Sequence, residues 1–210
     1  MKITVSYINS LYDTNKTIDL INKTSADGIH VDLMDGYYAG KSNFDINNLQ
    51  EVLKNVKKPM DIHMMVNNPS KYLDKLLLFY PDCIYIHPKT EVDTLNFLNN
   101  LKKHNIKRGI AINPDELLTD FTFYFPYIDR VLLMSVNPGF GGQKFIDNTK
   151  DKLDKLLSLK ENNNFEVYID GGINIDIISK VSQADGVVVG SYICRSNDFE
   201  KQINELKNVA

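Results

Sequence analysis

Gly28-Ile29-His30-Val31-Asp32-Leu33-Met34 carries Ile29, Val31 and Leu33 on one set of alternate positions and His30, Asp32 and Met34 on the other. Successive strand side chains point to opposite faces, so the apolar three share one face and the imidazole, carboxylate and thioether share the other. No stripe of Lys or Glu is left for solvent, and a parallel strand covered on both faces reads this way. Similar runs flank it: KITVSYI (2–8) before, then PMDIHMMV (59–66), DCIYIH (82–87), KRGIAIN (107–113), DRVLLMSV (129–136), FEVYID (165–170) and DGVVVG (185–190). All are short and rich in Val, Ile and Tyr. Together they make eight strands.

Helical patterns fill the intervals. Asn68 is expected to cap a helix opened by Pro69, with Leu73, Leu76, Leu77 and Tyr80 on one face. Leu153, Leu156 and Leu157 repeat that spacing, Asn174 caps a helix burying Ile177, Ile178 and Val181, and the last helix shows Phe199, Ile203 and Leu206. After Pro114, Pro126 and the FTFYF cluster leave room only for a short helix. Eight strand–helix units in 210 residues predict an α/β fold, a (β/α)8 TIM barrel occupying 1–210 as a single domain. Periodicity alone leaves an open doubly wound sheet as the alternative.

Composition narrows the partners. Lys and Arg total 24 against 27 Asp and Glu, a formal charge of −3, which gives no footprint for nucleic acid or an anionic membrane surface. An anion site must therefore be local. Cys83 and Cys194 lie in apolar runs without metal-type spacing and read as buried free thiols. MKITVSYINS lacks a signal-peptide pattern, and no apolar run approaches the ~18 residues of a membrane span, so a cytoplasmic-type soluble protein is expected.

In a barrel, functional groups come from the C-terminal ends of strands. Strand two ends with His30, Asp32 and Met34 on one face, strand three with His63 and Met65, and strand seven with Asp170. Each alone reads more readily as a hydrogen-bonded core residue or a turn former than as a ligand. On one rim, His30, Asp32, His63 and Asp170 form an N2O2 set for one divalent cation per chain, Zn2+, Fe2+, Mn2+ or Co2+. Asp61 reads as a buried hydrogen-bonding partner, His87 as a candidate substrate contact, and His104 as a solvated residue at a helix end. Glycine-bearing loops follow strands six, seven and eight: Asn137-Pro-Gly-Phe-Gly-Gly-Gln143 with Gly139, Gly141 and Gly142, then Gly171-Gly172, then Gly190-Ser191. Such loops let backbone N–H groups close on an anion, and a phosphate commonly sits there in this fold.

HVDLMDG (30–36), DIHMMVNNP (61–69), LLMSVNPGFGGQKFI (132–146), YIDGGIN (168–174) and ADGVVVGS (184–191) closely resemble, in order, the motifs of the ribulose-phosphate 3-epimerase family. The resemblance implies a cytoplasmic metal-dependent isomerase of the pentose phosphate pathway, forming a homo-oligomer and acting on a sugar phosphate. By that resemblance His30, Asp32, His63 and Asp170 are metal ligands, with Asp32 and Asp170 the catalytic acid–base pair. Met34, Met65 and Met134 correspond to its methionine cluster and Ser6 to its strand-one substrate contact. Gly142, Gly171, Gly172, Gly190 and Ser191 correspond to its phosphate loops.

The chain departs from that pattern at Asn9-Ser10-Leu11, at Tyr37–Lys41 and at Lys89, where the family carries an acidic residue. His87-Pro88 looks more like the allulose-6-phosphate 3-epimerases, which leaves a five- or six-carbon ketose open. Lyases and decarboxylases of the same fold usually centre on a strand-end Lys, which no strand here supplies inside the rim. A non-catalytic sugar-phosphate binder would have no reason to keep all four ligand residues.

Overall fold

The computed structural model describes residues 1–210 apart from 41, 43–45, 140 and 161. Lys41 of the divergent loop and Phe140 of the glycine run therefore lie outside the described residues. Eight strands run β1 (Lys2–Ser6), β2 (Gly28–Met34), β3 (Met60–Met65), β4 (Cys83–Ile86), β5 (Lys107–Ile112), β6 (Arg130–Met134), β7 (Glu166–Asp170) and β8 (Gly186–Val189). All pairs are parallel and in sequence order, and β1 pairs with β8 through Lys2–Gly186 to Val5–Val189. That last pairing closes the sheet and excludes the open doubly wound alternative.

The two-residue alternation sorts side chains into two cores. Ile29, Val31 and Leu33 of β2, Ile62 and Met64 of β3, Val131 and Leu133 of β6, and Val187 and Val189 of β8 point outward and pack with the helices. The other parity fills the lumen with Cys83, Tyr85, Ala111, Leu132, Met134, Tyr168 and Val188. Gly109 on β5 and Gly186 on β8 leave space for the two large rings, since a Cβ there would collide with Tyr85 and Tyr168 respectively. Below them Arg130, 4% exposed, pairs with Asp82 at 3.0 Å and Glu166 at 2.8 Å, its guanidinium 4.8 Å from the Tyr168 ring centre. The lumen is thus plugged by two tyrosines above a neutralised cation, and groups that meet a ligand must sit above this floor.

Helices α1 (Thr14–Asn22), α2 (Ile46–Leu53), α3 (Leu73–Leu77), α4 (Thr94–Lys103), α5 (Thr149–Lys160), α6 (Ile175–Ile178), α7 (Ser191–Cys194) and α8 (Phe199–Val209) fill the connections. The Asn174 side chain accepts from the N–H groups of Asp176 and Ile177, as expected of a cap. Asn68 does not cap. It sits in a left-handed conformation (φ 56°) without a side-chain cap bond, and Pro69–Lys71 form only a 3-10 turn. The helix stops at Leu77, so Tyr80, with φ 50° and 89% exposure, falls off the buried face assigned to it. After β5 the expected short helix is two 3-10 turns, Leu118–Asp120 and Thr122–Tyr127, the second carrying Pro126. Among the described residues no helix is long and apolar enough to cross a membrane.

Candidate active site

Register places the site residues in rows. Asp32 on β2 is level with His63 on β3, and His30 with Asp61. Met134 on β6 is level with Asp170 on β7, and Ser6 on β1 with His30. All take the lumen parity at the C-terminal ends of their strands, so the barrel's stagger brings them together above the tyrosine floor. One ligand atom each from His30, Asp32, His63 and Asp170 lies within 4.8 Å of the other three.

The finer geometry fits a cation. His30 Nε2 is 3.4 Å from Asp32 Oδ1 and 3.9 Å from Asp170 Oδ2, and His63 Nδ1 is 3.3 Å and 3.8 Å from the same oxygens. Ligand bonds of ~2.1 Å in a tetrahedral set put neighbouring ligand atoms roughly 3.4 Å apart. His30 Nε2 is fully buried with no hydrogen-bond partner. A buried nitrogen without a hydrogen-bond partner, beside two carboxylate oxygens and a second imidazole, suits a metal ligand. The four residues could hold a metal ion.

Neighbours fix each side chain. The Ser6 hydroxyl donates to Asp32 Oδ2 at 2.8 Å, turning Oδ1 toward the imidazoles. Asp61, 3% exposed, bonds His30 Nδ1 and leaves Nε2 for the centre, the buried partnership expected of it. Ser135, just after β6, donates its N–H and hydroxyl to the Asp170 carbonyl, both at 2.8 Å, and its hydroxyl also reaches the Gly171 carbonyl at 2.6 Å. These bonds hold the end of β7 against β6.

The two acids have opposed proton affinities. Burial disfavours the Asp32 charge, but the charge of His30 beside it, with His63 close by, holds its carboxyl well below the usual range. Burial pushes the Asp170 carboxyl up to about 7, and the charges of Asp32 and Asp61 add to the rise against the pull of His30. Burial lowers the proton affinity of His30, but Asp61 and Asp32 more than reverse it. Burial keeps His63 below its ordinary value.

Above these groups opens a cavity of about 610 Å³. Ser6, Asp32, Met65, Met134 and Asp170 line its floor, and Gly139, Gly141, Gly142, Gly171, Gly172, Gly190 and Ser191 line the wall formed by the loops after β6, β7 and β8. Met34 is buried at the end of β2 and lies outside that lining. His87 lies outside it too. It is 2% exposed and its Nε2 is 2.9 Å from His63 Nε2, so the structure turns the candidate substrate contact toward an imidazole rather than the cavity.

Arg195 escaped the sequence reading, and Tyr38 and Lys89, read there only as departures from the family pattern, find partners. Tyr38, from the divergent loop, stacks on His87 with ring centres 4.7 Å apart, and its hydroxyl accepts from Asn113 Nδ2 at 2.9 Å. Arg195 Nη2 and Ser191 Oγ stand 3.9 Å and 3.6 Å from where a Cβ on Gly142 would project, bringing a guanidinium to the glycine wall. The only hint of Arg195 was its place four residues after Ser191, one helical turn on. Lys89, in place of an acid, pairs with Glu116 at 3.0 Å and Asp120 at 3.9 Å beyond β5. His104 is exposed after α4, as expected.

The family model described as Ribulose-phosphate 3 epimerase family matches residues 2–194. The chain belongs to that family. A ribulose-phosphate 3-epimerase of Helicobacter pylori strain J99 is 37% identical over 193 residues, 89% of this chain and 88% of its own. One from Aquifex aeolicus is 36% identical over 188 residues, 88% and 85% of the two chains, and one from Bacillus subtilis 29% over 192 residues, 89% and 88%. Membership makes the protein an isomerase, a carbohydrate epimerase. Among solved structures, a Mycobacterium tuberculosis tryptophan synthase superposes with a TM-score of 0.72 at 13% identity, covering 99% of this chain and 92% of that one. A Pyrococcus furiosus thiamine phosphate pyrophosphorylase does so at 0.69 and 17%, covering 99% and 94%. At such identities the likeness shows the barrel alone.

Proposed function

We propose that the protein inverts carbon 3 of a ketose phosphate, interconverting D-ribulose 5-phosphate and D-xylulose 5-phosphate by two-base proton transfer. The observation that carries this reading is the convergence of two imidazoles and two carboxylates within 4.8 Å at the floor of a cavity that both carboxylates line. His30 Nε2, His63 Nδ1, Asp32 Oδ1 and Asp170 Oδ2 would hold one divalent cation, Zn2+, Fe2+, Mn2+ or Co2+. That cation supplies Lewis-acid stabilisation of the charge that builds on the ketone and neighbouring hydroxyl oxygens.

The chain's own groups do the rest. Inversion needs one base to take the proton from carbon 3 and an acid on the opposite face to return one, because a single base would replace the proton where it found it. Asp32 and Asp170, on β2 and β7, approach the cavity from different strands, and their opposed proton affinities suit one to accept while the other donates. Ser6 holds Asp32 in one rotamer through the transfer. Met65 and Met134 provide soft apolar walls that keep water from the carbanionic carbon without competing for its proton. The phosphate would lie against Gly142, Gly171, Gly172, Gly190 and Ser191, held by backbone N–H groups and the unpartnered Ser191 hydroxyl.

The test follows solvent deuterium into carbon 3 of ribulose 5-phosphate and allulose 6-phosphate in parallel, with metal-loaded protein. Label entering the five-carbon substrate at the faster rate is the expected result. Faster labelling of allulose 6-phosphate would reassign the substrate, and labelling of neither would end the epimerase reading.

A further inference from the structure

The geometry assigns His87 as a positioning residue that fixes which nitrogen of His63 carries hydrogen, and so presents a lone pair to the proposed cation site. This inference rests on the cation reading above. His63 Nε2 and His87 Nε2 are 2.9 Å apart, both rings fully or nearly fully buried. Two lone pairs do not face each other at that distance, so one of the two nitrogens bears hydrogen and donates to the other. His63 Nδ1 is the atom that faces Asp32 and Asp170. A neutral imidazole that offers Nδ1 to a cation must keep its hydrogen on Nε2. His87 Nε2 is then the acceptor, and the hydrogen of His87 sits on its own Nδ1.

The His87 ring is held for this task. Tyr38 stacks against it at 4.7 Å, with the Tyr38 hydroxyl tied to Asn113. The His87 carbonyl accepts from both the N–H and the hydroxyl of Thr90 at 2.9 Å, and Pro88 follows directly. The arrangement repeats one strand earlier, where Asp61 on β3 bonds the outer nitrogen of His30 on β2. Each imidazole is thus set by a side chain from the next strand or the residue just past its end, a carboxylate for His30 and a neutral ring for His63. Without His87 the opposite tautomer gains, with His63 Nδ1–H directed at Asp32 Oδ1 3.3 Å away, and the hydrogen then takes the place between two atoms that a cation would bridge.

Chelator-stripped wild type, H87Q and H87F are titrated with Co2+, following visible absorption, with circular-dichroism melts to show that each variant is folded. Phe keeps the ring volume without an acceptor, while Gln keeps an acceptor oxygen. The expected result is a Co2+ affinity reduced about 10–100-fold in H87F, with an altered spectrum, and rescue by H87Q to within about threefold of wild type. Nitrogen-15 NMR of Zn2+-loaded wild type should show hydrogen on His63 Nε2 and on His87 Nδ1, a measurement that stands even if H87F fails to fold. Equal affinity and spectrum in folded H87F, or hydrogen on His87 Nε2 in the loaded protein, overturns the role of His87 alone. Absence of Co2+ binding by the wild type overturns the cation reading itself.

Discussion

Consider Asp170→Asn in protein stripped of metal by a chelator. The Asp170 side chain is 15% exposed, and its pKa rises from 3.8 to about 7 as burial and the carboxylates of Asp32 and Asp61 oppose its ionisation. Below about pH 4 the carboxyl is protonated in folded and unfolded chains alike and has no effect on stability. As pH rises, the unfolded chain releases its proton first while the folded chain holds on, so stability drains away until pH passes the folded value near 7. Each pH unit between the two values is worth ~1.4 kcal/mol, giving a penalty of roughly 2–4 kcal/mol at pH 8. Asn has nearly the same shape and no proton to lose, so the variant escapes this penalty. Its melting temperature at pH 8 should exceed wild type by roughly 4–16 °C, at ~2–4 °C per kcal/mol for a chain of this size, and the two should converge near pH 4. The same variant should lose at least ~100-fold in turnover, since one of the two proposed proton-transfer groups is gone. Equal melting temperatures at pH 8, or a gap that does not shrink on acidification, would refute the claim that the fold works against this charge.

Asp32→Asn should also abolish turnover, by ~100-fold or more, with an unchanged far-ultraviolet spectrum; near-wild-type rate would remove the two-base scheme. Gly172→Ala places a Cβ against the Phe145 backbone at φ 65°, where a side chain alone costs ~1–2 kcal/mol, and so should shift the loop after β6. Its KM for a ketose phosphate should rise more than its kcat falls in steady-state assays. Arg108 beside Asp129, and Lys2 and Arg130 beside Glu166, overcome partial burial and hold both carboxyls below their usual range. Depressed acids give stability above their unfolded values and lose it as pH falls through the folded ones, so urea midpoints of loaded protein should stay level from pH 7 to about 5 and decline below about 4.

The fold was legible because eight short runs carry the same two-sided apolar pattern, and the cluster because, given a barrel, His30, Asp32, His63 and Asp170 all stand at strand ends on one rim. Closure was expected from the count of eight strand–helix units, but periodicity did not decide it. It lives in the pairing of Lys2–Val5 with Gly186–Val189, and no local pattern reports a contact between chain ends. The miss at Asn68 has a plain cause, since a left-handed residue before Pro69 satisfies the turn without its side chain. Tyr80 was misplaced because helical spacing continues in sequence past the point where the chain leaves the helix at Leu77. The orientation of His87 was beyond sequence as well. A strand-end imidazole can face a ligand or another imidazole, and only the stagger of β3 against β4 decides which.

Tyr85 and Tyr168 close one end of the channel through the barrel, so among the described residues the way in lies at the other end. Whatever occupies the chamber above the four inner ligand atoms also stands in their path to solvent. Exchange of an ion held there and exchange of the proposed sugar phosphate would therefore not be independent events, and a chelator would wait for the chamber to empty. A saturating, unreactive ketose phosphate analogue should act as a cork, slowing loss of the ion in proportion to its own residence time.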